Sequence, residues 1–254
     1  MSKVAVILPA AGLGTRMGRT SAETGGTSRK QFMLLDGSPI LAHTVRKFLQ
    51  AESVTEIVVA VRADDTEWVY ALLHELLQRE ERELPVRVVS GGDTRQESVE
   101  NAFLSLAPDT ELVAVHDAVR PFVDLETIER AVEEARNHGA AIVGIVPVDT
   151  VKQVSSALAG GARVRGTISR ERLILAQTPQ VFRYEVLKKA FEAARKDGFI
   201  GTDEASLVER LETIEISVVL GSERNIKITR PNDMDLARLF LEQDNRRLAT
   251  RESA

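Results

Sequence analysis

Small residues and cations follow the first apolar run of the chain. Pro9 to Gly14 reads Pro-Ala-Ala-Gly-Leu-Gly, Arg16 comes two residues later, and Lys30 follows a longer polar stretch. Small side chains let backbone N–H groups approach an anion, and a guanidinium binds phosphate through two parallel hydrogen bonds. The pattern predicts a site for a nucleoside triphosphate, with Arg29 as a second cation beside Lys30.

Two common phosphate-binding motifs do not match this loop. A dinucleotide fingerprint needs a third glycine where Met17 stands, and a helix has to begin there. A Walker loop needs Gly-Lys-Ser or Gly-Lys-Thr after four spacer residues, and the loop has neither. NAD binding and P-loop hydrolysis are therefore disfavoured. For the glycines taken alone, a tight turn is the alternative.

A second glycine pair follows the apolar run that begins at Val86. Gly91 and Gly92 precede Asp93, and Ser98 comes five residues after Asp93. Exposed backbone at the start of a helix suits the recognition of a base edge by N–H and C=O groups. The alternative is a glycine turn followed by an aspartate N-cap.

Polar residues follow three later apolar runs. Asp117 and Arg120 could orient a hydroxyl or help to hold a metal, or they could form a local ion pair of little energetic weight. Thr150 could bind a phosphate or belong to an ordinary turn. Lys227 lies between Ile226 and Ile228, which favours a side chain directed to a cleft or to solvent. His116 is interpreted as a packed side chain.

The elements that carry these residues alternate between strand and helix. Continuous apolar runs predict strands covered on both faces, at Val4–Leu8, Ile57–Val61, Val86–Val89, Leu112–Val115, Ile142–Val146 and Ile214–Leu220. Helical stretches between and after them are predicted at Ile40–Leu49, Thr66–Leu77, Leu125–Arg136, Glu185–Arg195, Ala205–Leu211 and Met234–Arg246, with a further helix capped by Asp93 and Gln96. This alternation indicates an α/β fold with a mainly parallel sheet and helices on both faces. Ligands of such sheets bind beyond the carboxyl ends of the strands.

One segment interrupts this alternation. Val148–Gln180 lacks a strong helical period and contains an Ala-Gly-Gly-Ala sequence. It is interpreted as a β-hairpin or arm inserted between two βα units, and a long surface loop is the alternative.

Composition narrows the class of protein. The chain has 254 residues, 43% of them hydrophobic, with a formal charge of −5 and no cysteine. This balance argues against a protein that coats nucleic acid, and disulfides and thiolate metal sites are excluded. No leader or apolar run of membrane-spanning length stands at the N-terminus. The expected location is the cytoplasm.

Eight stretches in order resemble one family, the 2-C-methyl-D-erythritol 4-phosphate cytidylyltransferases of the non-mevalonate isoprenoid pathway. They are the stretches beginning at Pro9, Lys30, Gly91, His116, Pro147, Gln177, Thr202 and Asn225, and they span almost the whole chain. His116–Pro121 and Asn225–Pro231 are the most specific.

The resemblance implies a Rossmann-like nucleotidyltransferase fold, with residues 1–254 forming a single domain. It also implies a homodimer, in which an arm at about 151–178 reaches into the site of the partner. The implied reaction joins CTP to methylerythritol 4-phosphate and releases pyrophosphate, with Mg²⁺ as cofactor and no assigned metal ligands. No nucleic acid or membrane partner is expected.

The family's residue roles transfer to matching positions. The CTP-binding positions are Pro9, Ala10, Ala11, Gly12, Leu13, Gly14, Arg16, Lys30, Gly92, Asp93 and Ser98. The sugar-phosphate positions are Asp117, Arg120, Thr150, Thr178, Lys227 and, from the neighbouring subunit, Arg170. The catalytic positions are Arg16, Lys30, Arg170 and Lys227, of which Arg16 and Lys30 stabilise the transition state.

The chain departs from the family pattern at the nucleotide loop. Arg29 stands where the family usually has proline, and the stretch from Met17 to Arg29 is longer than usual. Three other functions remain as alternatives: a ribitol-5-phosphate cytidylyltransferase, a sugar-phosphate nucleotidyltransferase using UTP or GTP, and a non-catalytic nucleotide-binding regulator. The acceptor pocket around Arg120, Thr150 and Arg170 separates the first of these from the implied reaction.

Overall fold

The structure is a computed structural model that describes residues 3–12, 29–80, 82–155 and 161–252. In chain order its strands and helices are β1 (Val4–Pro9), β2 (Leu34–Leu35), β3 (Ser38–Pro39), α1 (Ile40–Gln50), β4 (Val54–Val61), α2 (Thr66–Leu77), β5 (Val86–Ser90), α3 (Arg95–Leu104), β6 (Leu112–Val115), α4 (Leu125–His138), β7 (Ala140–Ile145), β8 (Val151–Val154), β9 (Val164–Ile168), β10 (Leu175–Arg183), α5 (Tyr184–Asp197), α6 (Glu204–Glu209), β11 (Ser217–Leu220) and α7 (Pro231–Glu252).

Seven of these strands form one sheet in the order β11-β7-β10-β6-β1-β4-β5. The pairs β1–β4, β1–β6, β4–β5 and β7–β11 are parallel. Strand β10 runs antiparallel to both of its neighbours, β6 and β7. The sheet is thus mainly parallel, as the sequence predicts.

Both faces of the sheet are covered, which explains the continuous apolar runs. Val4, Val6 and Leu8 of β1 belong to a core on one face that includes residues of α1, α2 and α4. Ala5 and Ile7 point to a second core on the opposite face, with residues of α3, α5 and α6. Successive side chains of a strand point to opposite faces, so a strand buried on both sides has no polar alternation.

The connections reverse direction beside β1. The chain runs from β1 through α1 to β4 and through α2 to β5, and α3 then leads to β6 on the other side of β1. In open α/β sheets, a ligand crevice opens where the strand order reverses, outside the carboxyl ends of the strands. In this protein the crevice is expected at the carboxyl ends of β1 and β6, beside the residues that follow Pro9 and Val115.

The predicted helices are all present, with boundaries that differ by a few residues. Asp124 caps α4 by accepting a hydrogen bond from the backbone N–H of Thr127. The predicted cap of α3 was wrong by one residue: Thr94 is the N-cap, and Glu97 completes a capping box with it. Both Asp93–Gln96 and Thr94–Glu97 satisfy the spacing of that motif, so spacing alone did not separate them.

The segment inserted after β7 was only partly predicted. Strands β8 and β9 form a separate antiparallel hairpin, whereas β10 leaves the hairpin and enters the main sheet between β6 and β7. Proline is uncommon inside central strands, and Pro179 with its polar neighbours hid this strand from sequence analysis. The peptide bond between Thr178 and Pro179 is cis.

Helix α7 closes a third and smaller core. Met234 and Ala237 of this helix pack with Leu35, Ile40 and Phe122. None of the helices in the described ranges combines the length and apolar character that a membrane crossing needs.

Candidate active site

A cleft lies at the carboxyl ends of β1 and β6, where the strand order reverses. It brings together ten of the residues predicted from sequence: Pro9, Ala10, Ala11, Gly12, Lys30, Gly92, Asp93, Ser98, Asp117 and Lys227. The predicted residues Leu13, Gly14 and Arg16 lie outside the described part of the chain. Five separate stretches of the sequence thus converge on one cleft.

The loop after β1 is held by a buried glutamine that sequence analysis did not assign to the site. The Gln31 side-chain amide donates to the carbonyl oxygens of Ala10 and Gly12, at 2.7 and 2.9 Å. The backbone N–H of Ala10 donates to the carbonyl of Ala60 in β4. Gln31 therefore fastens the short helical turn that carries Lys30 to the glycine loop, and both line the cleft.

Arg29 has a different environment from its neighbour Lys30. Its guanidinium pairs with the carboxylate of Asp65 and lies 5.6 Å from the centre of the Phe32 ring. Lys30 lines the cleft, whereas the described lining of the cleft does not include Arg29. Arg29 therefore pairs with Asp65, the residue that directly precedes α2.

The glycine pair after β5 is required by close packing. A Cβ on Gly92 would lie 2.3 Å from the Cβ of Glu97, and a Cβ on Gly91 would lie 2.8 Å from the Cβ of Ala11. The N–H of Gly92 donates to the hydroxyl of Ser98, which in turn donates to the carbonyl of Thr94. These bonds fix the backbone that faces the cleft.

Asp117 is the centre of a charge cluster. Only 6% of it is exposed, and its Oδ2 lies 2.9 Å from Nζ of Lys227 and 3.1 Å from Nε of Arg120. Its Oδ1 lies 3.5 Å from Nε of Arg95. Burial on its own would raise the pKa of Asp117, but Lys227, Arg95 and Arg120 outweigh it and hold the pKa well below its usual range.

A chain of hydrogen bonds fixes the turn that carries this carboxylate. The N–H of Asp117 donates to the hydroxyl of Thr178 at 3.0 Å. That hydroxyl lies 3.1 Å from Nδ1 of His116, whose Nε2 lies 3.0 Å from the carbonyl of Arg120. A carbonyl only accepts, so Nε2 carries the proton and Nδ1 accepts from Thr178. Burial lowers the pKa of His116 to about 4, which keeps the ring neutral.

A second pocket adjoins the first. Its lining includes the sugar-phosphate candidates Asp117, Arg120, Thr178 and Lys227. Asp117, Lys227 and Arg95 line both pockets. The three side chains therefore mark the place where ligands of the two pockets would meet. Arg95 was not assigned by sequence analysis, although it lies inside the Gly91–Ser98 motif and was detectable there.

Two predicted residues lie away from these pockets. Thr150 and Arg170 are exposed and both lie at the open base of the antiparallel β8–β9 hairpin, just before β8 and just after β9. The side chain of Arg170 donates to the carbonyl of Val148. Neither residue contributes to the described lining of the two pockets. In the described residues, no group of three or more His, Cys, Asp or Glu side chains is arranged to hold a metal.

Comparison with known proteins agrees with this geometry. A family model described as 2-C-methyl-D-erythritol 4-phosphate cytidylyltransferase matches residues 4–243. A relative of that name from Solibacter usitatus is 64% identical over 242 residues, which cover 95% of this chain and 97% of the relative. Another from Acidobacterium capsulatum is 48% identical over 246 residues, covering 96% and 100% of the two chains.

Solved structures agree as well. The crystal structure of 4-diphosphocytidyl-2C-methyl-D-erythritol synthase from Anaerococcus prevotii superposes with a TM-score of 0.78 at 28% identity, covering 95% of this chain and 96% of the other. The 2-C-methyl-D-erythritol 4-phosphate cytidylyltransferase from Thermus thermophilus superposes with a TM-score of 0.72 at 30% identity, covering 94% and 98%. These matches confirm the Rossmann-like nucleotidyltransferase fold and the resemblance on which the site was predicted. The chain belongs to the 2-C-methyl-D-erythritol 4-phosphate cytidylyltransferase family and is a nucleotidyltransferase.

Proposed function

We propose that the chain transfers CMP from CTP to 2-C-methyl-D-erythritol 4-phosphate and releases pyrophosphate, a step of non-mevalonate isoprenoid precursor synthesis. The observation that carries the proposal is the junction of two pockets at Asp117 and Lys227. One pocket has the glycine loops and Lys30 that a nucleoside triphosphate needs. The other has Arg120 for a second phosphate.

The nucleotide occupies the first pocket. Backbone groups at Ala11 and Gly12 approach the triphosphate, and Lys30 supplies charge to it. Gly92, Asp93 and Ser98 lie across the pocket, at the N-terminal end of α3, where their backbone and side-chain groups suit a cytosine edge. We expect this end of the pocket to favour a pyrimidine over a larger purine.

The acceptor occupies the second pocket, and the transfer is an in-line displacement. An oxygen of its phosphate attacks the α-phosphorus of CTP, a new P–O bond forms, and the bond to the bridging oxygen breaks. Pyrophosphate leaves with the electron pair. The attacking oxygen is already anionic, so no general base is needed. Lys227 and Arg120 reduce the repulsion between the two polyanions.

We also propose Mg²⁺ as the cofactor, bound through oxygen atoms of the triphosphate. Such oxygens are the ligands that this cation prefers, and Asp117 is already engaged by Lys227, Arg120 and Arg95. When bound, Mg²⁺ would neutralise charge on the leaving pyrophosphate. The proposed location is the cytoplasm, where CTP is available.

The active form that we propose is a homodimer. Val148 is 72% exposed, and Val164, Ile168 and Leu175 are also exposed on and beside the β8–β9 hairpin. Apolar side chains grouped on a surface favour contact with another protein. An arm at about 151–178 that packs on a partner would cover them and bring Arg170 and Thr150, which both lie at the base of the hairpin, toward a site.

Pyrophosphate release tests the reaction. We expect turnover with CTP, methylerythritol 4-phosphate and Mg²⁺, and little with UTP, GTP or ATP, with ribitol 5-phosphate, or after addition of EDTA. Turnover with ribitol 5-phosphate instead would reassign the acceptor. Absence of turnover with every pair would favour a non-catalytic nucleotide-binding protein.

Mixing of two inactive variants tests the shared site. Lys227→Gln and Arg170→Gln are each expected to be nearly inactive. If each site combines Lys227 of one subunit with Arg170 of the other, subunit exchange in an equimolar mixture forms heterodimers in which one of the two sites has both wild-type residues. By the symmetry of a two-fold dimer, such restored sites make up about a quarter of all sites in the mixture. The measurement is turnover of the mixture against each variant mixed with itself. A mixture that is no more active than its components would argue against the shared site.

A further inference from the structure

A buried glutamate lies behind the charge cluster and has no role in the transfer described above. Glu204, at the start of α6, is 1% exposed. Both of its carboxylate oxygens accept hydrogen bonds from Nη1 of Arg95, at 2.8 and 2.9 Å. The two residues are 109 positions apart in the sequence, so the fold itself creates this pair.

The start of α6 is fastened to the main sheet. Gln180 of β10 donates from its amide nitrogen to Asp203 at 2.7 Å, and its amide oxygen accepts from the N–H of Ala205 at 3.0 Å. Asp203 also caps α6 by accepting from the N–H of Ser206. Glu204 lies between these anchored residues, and its backbone is therefore held firmly.

Arg95 connects this rigid glutamate to both pockets. Its side chain is 31% exposed and its Nε lies 3.5 Å from Oδ1 of Asp117, while Nη1 is occupied by Glu204. The Oδ2 atom of Asp117 is the one that Lys227 and Arg120 contact. Arg95 therefore contacts one carboxylate oxygen of Asp117, and Lys227 and Arg120 contact the other.

The charges of the cluster explain why a second carboxylate matters. Three cations surround Asp117, and Glu204 supplies the second negative charge. Without Glu204, Arg95 would keep only Asp117 as an ionic partner among the described residues, and it would compete with Lys227 and Arg120 for that carboxylate. Burial raises the pKa of Glu204, and Arg95 opposes that effect. Buried ion pairs contribute little net stability, which is consistent with a functional reason for this one.

We propose that Glu204 is a positioning residue for the transfer reaction: it holds Arg95 at the junction of the two pockets and so leaves Oδ2 of Asp117 to Lys227 and Arg120. This inference rests on the proposed function, because the junction is where the two substrates react. Glu204 acts through Arg95 and touches no substrate itself.

The test compares Glu204→Gln with a matched control, Glu100→Gln. Glu100 is also a buried glutamate, its Oε1 lies 3.0 Å from Nε of Arg195, and it lies outside both pockets. We expect Glu204→Gln to lower kcat by about 10- to 100-fold through misplacement of reacting groups, with the KM for CTP changed less than about 3-fold. Glu100→Gln should keep wild-type kcat. Equal kcat values for the two variants, each folded by circular dichroism, would overturn the proposal.

A double variant tests the route through Arg95. If Glu204 acts only through that side chain, Arg95→Lys combined with Glu204→Gln is no slower than Arg95→Lys alone. Losses that multiply would overturn the proposed route.

Binding of inorganic phosphate gives a readout that needs no turnover. Calorimetry is expected to find weaker phosphate binding for Glu204→Gln and unchanged binding for Glu100→Gln. Equal affinities in the two variants would count against the positioning role even if the wild-type protein transferred no CMP. Failure of wild-type turnover, in contrast, would count against the proposed function.

Discussion

Replacement of Lys227 by glutamine is expected to lower kcat for cytidylyl transfer by about 10²–10³-fold, the loss typical of removing one group that stabilises transition-state charge. Lys227 lines both pockets, and its ammonium lies 2.9 Å from Oδ2 of Asp117. This contact directs the charge to the place where the attacking phosphate and the α-phosphate of CTP approach each other. Glutamine keeps much of the side chain and removes the charge.

The measurement is steady-state pyrophosphate release, with folding checked by circular dichroism. Lys188→Gln is the matched control, because Lys188 is an exposed lysine of α5 outside both pockets. We expect wild-type turnover from the control. A folded Lys227→Gln protein with near-normal kcat would contradict the role assigned to Lys227.

Replacement of Asp117 by asparagine is expected to destabilise the fold by about 1–3 kcal/mol, because it leaves the mostly buried Arg120 and the partly exposed Lys227 without their counter-charge. Asp117 is 6% exposed and has three cationic neighbours. Glu204 still compensates Arg95 in this variant, so the loss falls mainly on Lys227 and Arg120. Turnover is expected to fall as well.

The pH dependence of this loss has a defined sign. The pKa of Asp117 is depressed in the folded protein, so its stabilising contribution is complete above the unfolded pKa of about 3.9 and is lost as pH falls through the folded value. The difference in unfolding free energy between wild type and Asp117→Asn is therefore expected to be the same at pH 8 and pH 5.

Urea denaturation followed by circular dichroism measures that difference. Asp235→Asn serves as the control, because Asp235 forms an exposed ion pair with Arg238 and such pairs contribute about 0–1 kcal/mol. Equal stability of Asp117→Asn and wild type at pH 8, or a difference that disappears at pH 5, would contradict the charge cluster described here.

Much of the architecture could be predicted from apolar periodicity. Strands β1 and β6 are buried on both faces, and their sequences are accordingly unbroken apolar runs. Once parallel strands are inferred, their carboxyl ends must meet at one edge of the sheet. That rule placed Gly12 and Asp117, which are distant in sequence, beside the same cleft.

Other features depend on contacts that no local pattern contains. The Arg95–Glu204 pair forms only because α3 and α6 cover the same face of the sheet. Arg29 resembles a phosphate-binding cation in sequence, but Asp65 engages it. Strand β10 carries proline and polar residues, and its position is determined by open edges on β6 and β7 rather than by its own composition.

The position of β10 also constrains the order in which the chain folds during synthesis. Strands β1, β4, β5 and β6 are all complete before β7 is made, and they can form a parallel unit with α1, α2 and α3. The outer edge of β6 stays without its neighbour until the ribosome has passed the hairpin and released β10. An exposed strand edge invites pairing with other chains, and non-local pairing is slow. We therefore expect the nascent chain to be exposed to edge-to-edge aggregation in the interval between the synthesis of β6 and that of β10.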